Sequence, residues 1–250
     1  MNNCILEIKS ISKRFGGVKA LNNVSIKLFE GEVLALAGDN GAGKSTLIKI
    51  ISGVYNSDKG DILFNGKNVV NNSPNYSRNL GIETIYQDLA LADNLDVSSN
   101  IFLGRERIKQ NFKFLQRLNR KLMFDESVNI LNSLKIEIPK GSLKQPVASL
   151  SGGQRQAIAI SRAIYWNAKI LIMDEPTAAL GVPEQRKVLE LIHTLKKNKI
   201  GIIFISHNLN DIFSVSDRIC VLRQGKLVCE KNINESNKEE IVSYMVQGHS

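Results

Sequence analysis

Eight residues constrain this chain more than any others: Gly38-Asp39-Asn40-Gly41-Ala42-Gly43-Lys44-Ser45, which fit the spacing G-x-x-x-x-G-K-[ST]. They follow the unbroken apolar run Val33-Leu34-Ala35-Leu36-Ala37, the pattern of a strand covered on both faces. They precede Thr46-Leu47-Ile48-Lys49-Ile50-Ile51, an amphipathic run of helical period. A buried strand, a glycine-rich turn and a helix in that order predict an α/β fold with a largely parallel sheet. Backbone N–H groups at such a turn form a concave anion site, and glycines let the chain wrap phosphate closely. Lys44 is then expected to neutralise β- and γ-phosphate charge, and Ser45 to ligate Mg²⁺.

A phosphate loop of this kind needs an acid on a neighbouring strand to hold the metal's water shell. Ile170-Leu171-Ile172-Met173 is a second apolar run, and Asp174 emerges at its carboxyl end. Glu175 follows at once, where a carboxylate can orient or deprotonate an attacking water. A third element is narrower. Leu150-Ser151-Gly152-Gly153-Gln154 precedes Arg155 to Ile164, whose Ala157, Ile160, Ala163 and Ile164 make an apolar helical stripe. This second helix start, with small residues and a hydroxyl in front, is suited to a second anion. One nucleotide does not need two separated cradles in one chain. Two copies do, if each nucleotide lies between the phosphate loop of one and Ser151 to Gln154 of the other.

Around these elements the periodicity changes along the chain. Ile5 to Lys9 and Val24 to Leu28 alternate apolar and polar residues, which predicts half-buried antiparallel strands. Asp61 to Phe64, the turn pair Asn65-Gly66 and Lys67 to Val70 predict a hairpin. From about Asp88 to Asn167 the period is helical with no clear strand, and Lys113 to Leu134 is expected as one helical stretch. Strands resume at Ile170 to Met173, Gly201 to Ile205 and Ile219 to Leu222, the last pairing with Leu227 to Cys229 through Gln224-Gly225. Glu184 to Lys197 is helical, and the polar tail carries a short helical pattern at Ile241, Tyr244 and Met245. The expected architecture is a P-loop NTPase core (residues 1–87 and 167–250) with an N-terminal antiparallel β subdomain. A helical lobe, residues 88–166, is inserted into it.

Composition narrows the class. With 43% hydrophobic and 23% charged residues, disorder and collagen are excluded. Apolar runs such as Ile200 to Ile205 fall far short of the roughly 20 residues a bilayer span requires. The first residues, with Glu7 among them, are not expected to be a secretory signal. Cys4, Cys220 and Cys229 are scattered and odd in number, as free thiols in a reducing cytoplasm would be. The net charge of +9 favours polyanionic partners without naming one.

The set resembles the ATP-binding subunits of ABC transporters. Gly38 to Ser45 is similar to their Walker A motif, Leu150 to Gln154 to their signature, and Ile170 to Glu175 to their Walker B with its catalytic glutamate. Gln87, in Thr84-Ile85-Tyr86-Gln87, matches the Q-loop, and His207, after Ser206, matches the switch histidine. Phe15, in Lys13-Arg14-Phe15-Gly16-Gly17, falls where the family places an aromatic against adenine. The resemblance spans nearly the whole chain in the family's order.

The resemblance implies ATP and Mg²⁺ as cofactors. Phe15, Gly38, Asp39, Asn40, Gly41, Ala42, Gly43, Lys44, Ser45 and Thr46 would bind nucleotide, with Ser151, Gly152, Gly153 and Gln154 contributed across a dimer. Ser45, Gln87 and Asp174 would attend the metal, while Glu175, His207 and Gln87 serve hydrolysis. Trp166 is assigned to packing. Gly38 to Lys49, Gly81 to Leu91 and Asn100 to Glu106 look most like the monosaccharide importers, where many chains carry two such domains; this one carries one. The implied partners are an integral-membrane permease, a second ATPase copy or paired subunit, and indirectly a periplasmic or lipid-anchored sugar-binding protein. No nucleic acid is expected, and the implied location is the cytoplasmic face of the membrane, held peripherally.

One position departs from the pattern. After Glu175-Pro176-Thr177 the family commonly reads Ala-Leu-Asp, and here Gly181 stands at the Asp, which bears on coupling between the two nucleotide sites. Between Arg105 and Lys121 seven cations (Arg105, Arg107, Lys109, Lys113, Arg117, Arg120, Lys121) face one acid, Glu106. They read either as a solvated helix face or as a rim attracted to anionic lipid. The rival function is a soluble, non-transport ABC-type ATPase acting on ribosomes or DNA. Translation-type members usually carry two ATPase domains and repair types insert long coiled coils, and this chain has neither.

Overall fold

Alternation along the first thirty residues becomes the antiparallel hairpin of β1 (Cys4–Phe15) and β2 (Val18–Phe29), in which Leu6 pairs with Leu28 and Ile8 with Ile26. The computed structural model describes residues 3–69, 73–109, 117–139 and 141–247. β3 (Val33–Ala37) leads into α1 (Lys44–Ile51), and β4 (Lys59–Phe64) turns back through Asn65-Gly66 to β5 (Lys67–Asn68). The expected continuation of that strand to Val70 lies outside the described residues. α2 (Pro74–Leu80) and β6 (Ile82–Ile85) follow. β6 was not expected as a strand: four residues with two apolar positions are too short for periodicity to register.

The middle holds α3 (Val97–Ile101), β7 (Ile108–Lys109), β8 (Arg117–Leu118), α4 (Arg120–Ser133) and α5 (Gly152–Tyr165). Two expectations fail here. The lobe contains a strand pair, Ile108 opposite Leu118 and Lys109 opposite Arg117, and the helix begins at Arg120 instead of Lys113. The Asn119 side chain accepts from the Leu122 N–H, a cap that fixes the helix start there, and backbone pairing takes the residues before it. Lys113, Phe114 and Leu115 lie outside the described residues.

β9 (Ile170–Asp174), α6 (Val182–Lys197), β10 (Gly201–Ile205), α7 (Leu209–Val215), β11 (Arg218–Arg223), β12 (Lys226–Asn232) and α8 (Lys238–Val246) complete the chain. Among the described residues one sheet runs β2-β1-β4-β5, all antiparallel, and another runs β12-β11-β3-β10-β9-β6. In the second sheet every pairing is parallel except the edge pair β11–β12.

The continuous apolar runs are explained by two-sided burial. Val33, Ala35 and Ala37 of β3 join a cluster with α5, α6 and α7 residues, whereas Leu34 and Leu36 join Leu47, Ile48 and the antiparallel sheet. β10 divides likewise, Ile202 and Phe204 to the first cluster, Ile203 and Ile205 to the second. Each Val, Leu, Ile or Phe among them contributes roughly 1.5–3 kcal/mol relative to exposure. A third cluster gathers Val97, Ile101, Phe102, Met123, Leu131, Val147 and Ile158. α5 serves both sides, with Ala157, Ile160 and Ala163 in the first cluster and Ile158 in the third.

Candidate functional site

Strand order assembles the site. β10 lies between β3 and β9, and β6 flanks β9, so the carboxyl ends of four parallel strands lie along one edge of the sheet. Ligands of open α/β sheets bind outside such an edge. The phosphate loop leaves β3 there, Asp174 and Glu175 end β9, His207 stands two residues beyond β10, and Gln87 two beyond β6. Ile205 pairs with Asp174, and Ile85 with Met173, which sets these groups at similar height.

The loop is held by close approach. Gly38 (φ 145°) has no room for a side chain, because a Cβ there would stand 2.2 Å from the Leu222 carbonyl oxygen. α1 starts at Gly43 without any side-chain cap, leaving first-turn N–H donors for an anion. Lys44 is buried, and its ammonium donates to the carbonyls of Gly38 (2.6 Å) and Asp39 (3.0 Å). Burial pushes the Lys44 pKa down, while Glu175, Asp174 and Asp39 oppose that shift. Ser45, Asp39, Asn40 and Gly41 are exposed at the mouth, and Thr46 is half-buried behind them.

Two carboxylates face the loop. Burial raises the Asp174 pKa against the pull of Lys44, His207 and Lys49. Burial also raises Glu175, opposed chiefly by His207. Glu175 has a φ of 55°, and its N–H donates to the Ile205 carbonyl at 2.9 Å, which ties β9's exit to β10. Glu175 Oε2 accepts from the His207 N–H at 3.3 Å. Oε1 lies 3.1 Å from His207 Nε2 yet has no aligned hydrogen-bond partner: the pair is close in distance but off-line. A buried carboxylate oxygen left open suits an acceptor for a water proton.

Among the described residues no group of three or more His, Cys, Asp or Glu could hold a metal ion. One acid and one hydroxyl beside a phosphate cradle nevertheless fit Mg²⁺, which usually takes one or two carboxylates and completes its shell from phosphates and water.

The other expected residues are placed as follows. Gln87 is exposed at the edge and makes no hydrogen bond among the described residues. Phe15, 44% exposed at the end of β1, meets Tyr55 edge to face at 5.3 Å and has the Lys13 ammonium 5.5 Å from its ring centroid. Ser151 and Gln154 form a capping box: Ser151 Oγ accepts from the Gln154 N–H, and Gln154 Oε1 accepts from the Ser151 N–H at 3.0 Å. The turn's neighbours are Leu180 and Glu184, and no hydrogen bond or ion pair joins it to Gly38–Thr46 of its own chain. Trp166 packs against Phe102 and Tyr165 and donates to the Ile101 carbonyl.

The basic run is partly tied down. The Arg105 guanidinium lies 4.7 Å from the Trp166 ring centroid and 3.7 Å from Glu83, and Arg107 donates to Tyr165 and Glu126. Three structural contributors went unread in the sequence. Thr177 donates to the Asp211 carboxylate at 2.7 Å, both buried, joining the segment after Glu175 to the helix after His207. Arg162 on α5 donates to the carbonyls of Leu89 and Ala90, just past Gln87. Glu83, its pKa raised by burial, sits beneath Arg105, Arg78 and Arg162. No spacing in a single sequence pairs residues so far apart.

The sequence pattern of the family described as "ABC transporter" matches residues 21–178. A xylose/arabinose import ATP-binding protein of Sulfolobus acidocaldarius is 54% identical over 96% of this chain and 93% of that protein. A ribose import ATP-binding protein of Caldanaerobacter subterraneus is 43% identical over 97% of this chain, which spans 47% of that longer relative. Among solved structures, a nucleotide-free ATP-binding cassette from an ABC transporter superposes with a TM-score of 0.80 at 28% identity, covering 96% of this chain and 94% of that one. With the phosphate loop, Asp174, Glu175 and His207 on one sheet edge, these likenesses settle the family: the chain belongs to the ABC transporters, as an ATP-binding cassette with ATPase activity.

Proposed function

We propose that this chain hydrolyses ATP to power import of a monosaccharide through a membrane permease. The observation that carries the chemistry is the open Glu175 Oε1 beside His207, at the same sheet edge as the phosphate loop. The names of the xylose/arabinose and ribose import relatives support the sugar class.

The residues divide the work. Backbone N–H groups of Gly41 to Thr46 and the Lys44 ammonium receive the phosphates, exchanging the Gly38 and Asp39 carbonyls for phosphate oxygens. Phe15 stacks on adenine. Ser45, Asp174 and Gln87 hold the metal's shell, and Mg²⁺, when bound, neutralises charge developing between β- and γ-phosphate. Glu175 accepts the proton of the attacking water, and His207 fixes that water and the γ-phosphate. Ser151, Gly152, Gly153 and Gln154 of a second copy complete the site, since this chain's own turn faces Leu180 and Glu184. ATP binding favours the closed pair and hydrolysis reopens it, a two-state cycle able to move a permease between its two accesses. Residues 88–166 form the lobe that carries the signature and turns toward the permease.

No helix among the described residues is long and apolar enough to cross a membrane. In this reading the chain is held at the cytoplasmic face by its permease. The substrate is delivered by a separate sugar-binding protein. The test is a mild-detergent pull-down of the tagged chain from membranes. A polytopic permease in the eluate is the expected result; ribosomal or DNA-associated partners without a membrane protein would replace this reading with the soluble ATPase.

A further inference from the structure

Gly181 leaves α6 without a capping side chain, and the structure shows what takes its place. The Glu184 carboxylate reaches back to accept from the Gly181 N–H at 3.0 Å, half of a capping box whose other half, a side chain at the cap, is missing. The neighbouring Gln185 amide donates to the carbonyls of Leu180 (3.0 Å) and Thr177 (3.4 Å). The segment from Thr177 to Gly181 is therefore held at both ends by the first turn of α6. It needs holding: Ala179 sits at a φ of 60°, and Ala178 and Ala179 are exposed.

The same turn seats the signature. A Cβ at Gly153 would stand 3.0 Å from Glu184 Cβ and Cγ, and one at Gly152 would stand 2.7 Å from a Leu180 methyl. Gly152 thus lies on the braced segment and Gly153 on the bracing residue itself. Beside them a cavity of about 480 Å³ opens between α5, α6 and the chain after α4, with Ala157, Val188 and Leu191 in its wall. That space removes alternative packing from the underside of the turn. Contact with Leu180 and Glu184 supports the turn from outside its own Ser151–Gln154 capping box.

We propose that Glu184 and Gln185 are positioning residues that bind the 177–181 segment to the signature turn, so that both elements one copy offers to its partner's nucleotide move as one body. This rests on the reading that nucleotide is sandwiched between two copies.

The experiment uses the full chain in a Glu175→Gln background, with ATP-driven dimerisation followed by light scattering and ADP affinity measured separately. ADP on one copy touches the phosphate loop and not the signature, so a general folding defect moves both readouts while a lost brace moves only the first. Glu184→Ala is expected to raise the ATP concentration needed for dimerisation about tenfold, with ADP affinity within about twofold. Glu184→Gln keeps an acceptor for the Gly181 N–H and is expected to dimerise like its parent. Unchanged dimerisation in Glu184→Ala, or a loss shared equally by ADP affinity, overturns the brace. Failure of the parent Glu175→Gln chain to dimerise with ATP overturns the sandwich itself, and the brace with it.

Discussion

His207 Nε2 stands 3.1 Å from Glu175 Oε1, while the backbone N–H of the same histidine donates to Oε2 at 3.3 Å. The histidine therefore holds one carboxylate oxygen through its main chain and leaves the other buried without a hydrogen-bond partner, its own ring being 58% exposed. This pairing is between residues just past the ends of the adjacent parallel strands β9 and β10.

Glu175→Gln keeps the shape and removes the base. ATP binding should persist and turnover should fall about 10²- to 10⁴-fold. Single-turnover hydrolysis with radiolabelled ATP measures this, and turnover near wild type would remove Glu175 as the base.

Lys44→Ala removes a cation that makes two charge-assisted hydrogen bonds. At roughly 1.5–3 kcal/mol for a hydrogen bond to a charged group, nucleotide affinity should fall about 10- to 100-fold. Titration with a fluorescent ATP analogue tests it; unaltered affinity would contradict the phosphate assignment.

The pH dependence follows from burial. Asp174 and Glu175 have raised pKa values, so the acid limb of ATPase activity should lie above the range of a solvent-exposed carboxyl. For stability the sign is opposite. A carboxyl with a raised folded-state pKa binds its proton more tightly folded than unfolded, so without nucleotide stability falls as pH rises from the ordinary to the raised value. Asp174→Asn and Glu175→Gln should therefore raise Tm at neutral pH in the absence of nucleotide, and the gain should shrink as pH is lowered through that window. A lower Tm for both would show that their ionised forms are stabilised, against this account.

Thr177→Val leaves the buried Asp211 carboxylate without its hydroxyl donor. A cost of about 1.5–3 kcal/mol is expected, read as a lower urea midpoint, with Thr177→Ser close to wild type. Equal midpoints for all three would mean that Asp211 finds another donor.

Local features were legible because their physics is local. The loop Gly38–Ser45 needs only its glycines, its lysine and the apolar run before it. Two-sided burial of Val33–Ala37, Ile170–Met173 and Ile202–Ile205 shows directly as unbroken apolar sequence. The β7–β8 pair and the start of α4 were misread because Arg117–Leu118 is too short to set a period, and the cap at Asn119 outweighed the apolar spacing upstream. β6 escaped for the same reason of length.

The sequence by itself determined which groups exist to do chemistry: a phosphate loop, two acids after a buried strand, a histidine after another, and a serine-glycine helix start. Only the tertiary structure decided that they meet. The strand order β3-β10-β9-β6 departs from chain order, and it puts His207 beside Glu175, 32 residues earlier. It also decided that the signature turn rests on Leu180 and Glu184, away from its own phosphate loop. The physical reason is that hydrogen-bond ladders and buried faces choose a strand's neighbours by register and shape across long sequence separations, and a period read along one segment carries no information about which other segment will lie against it.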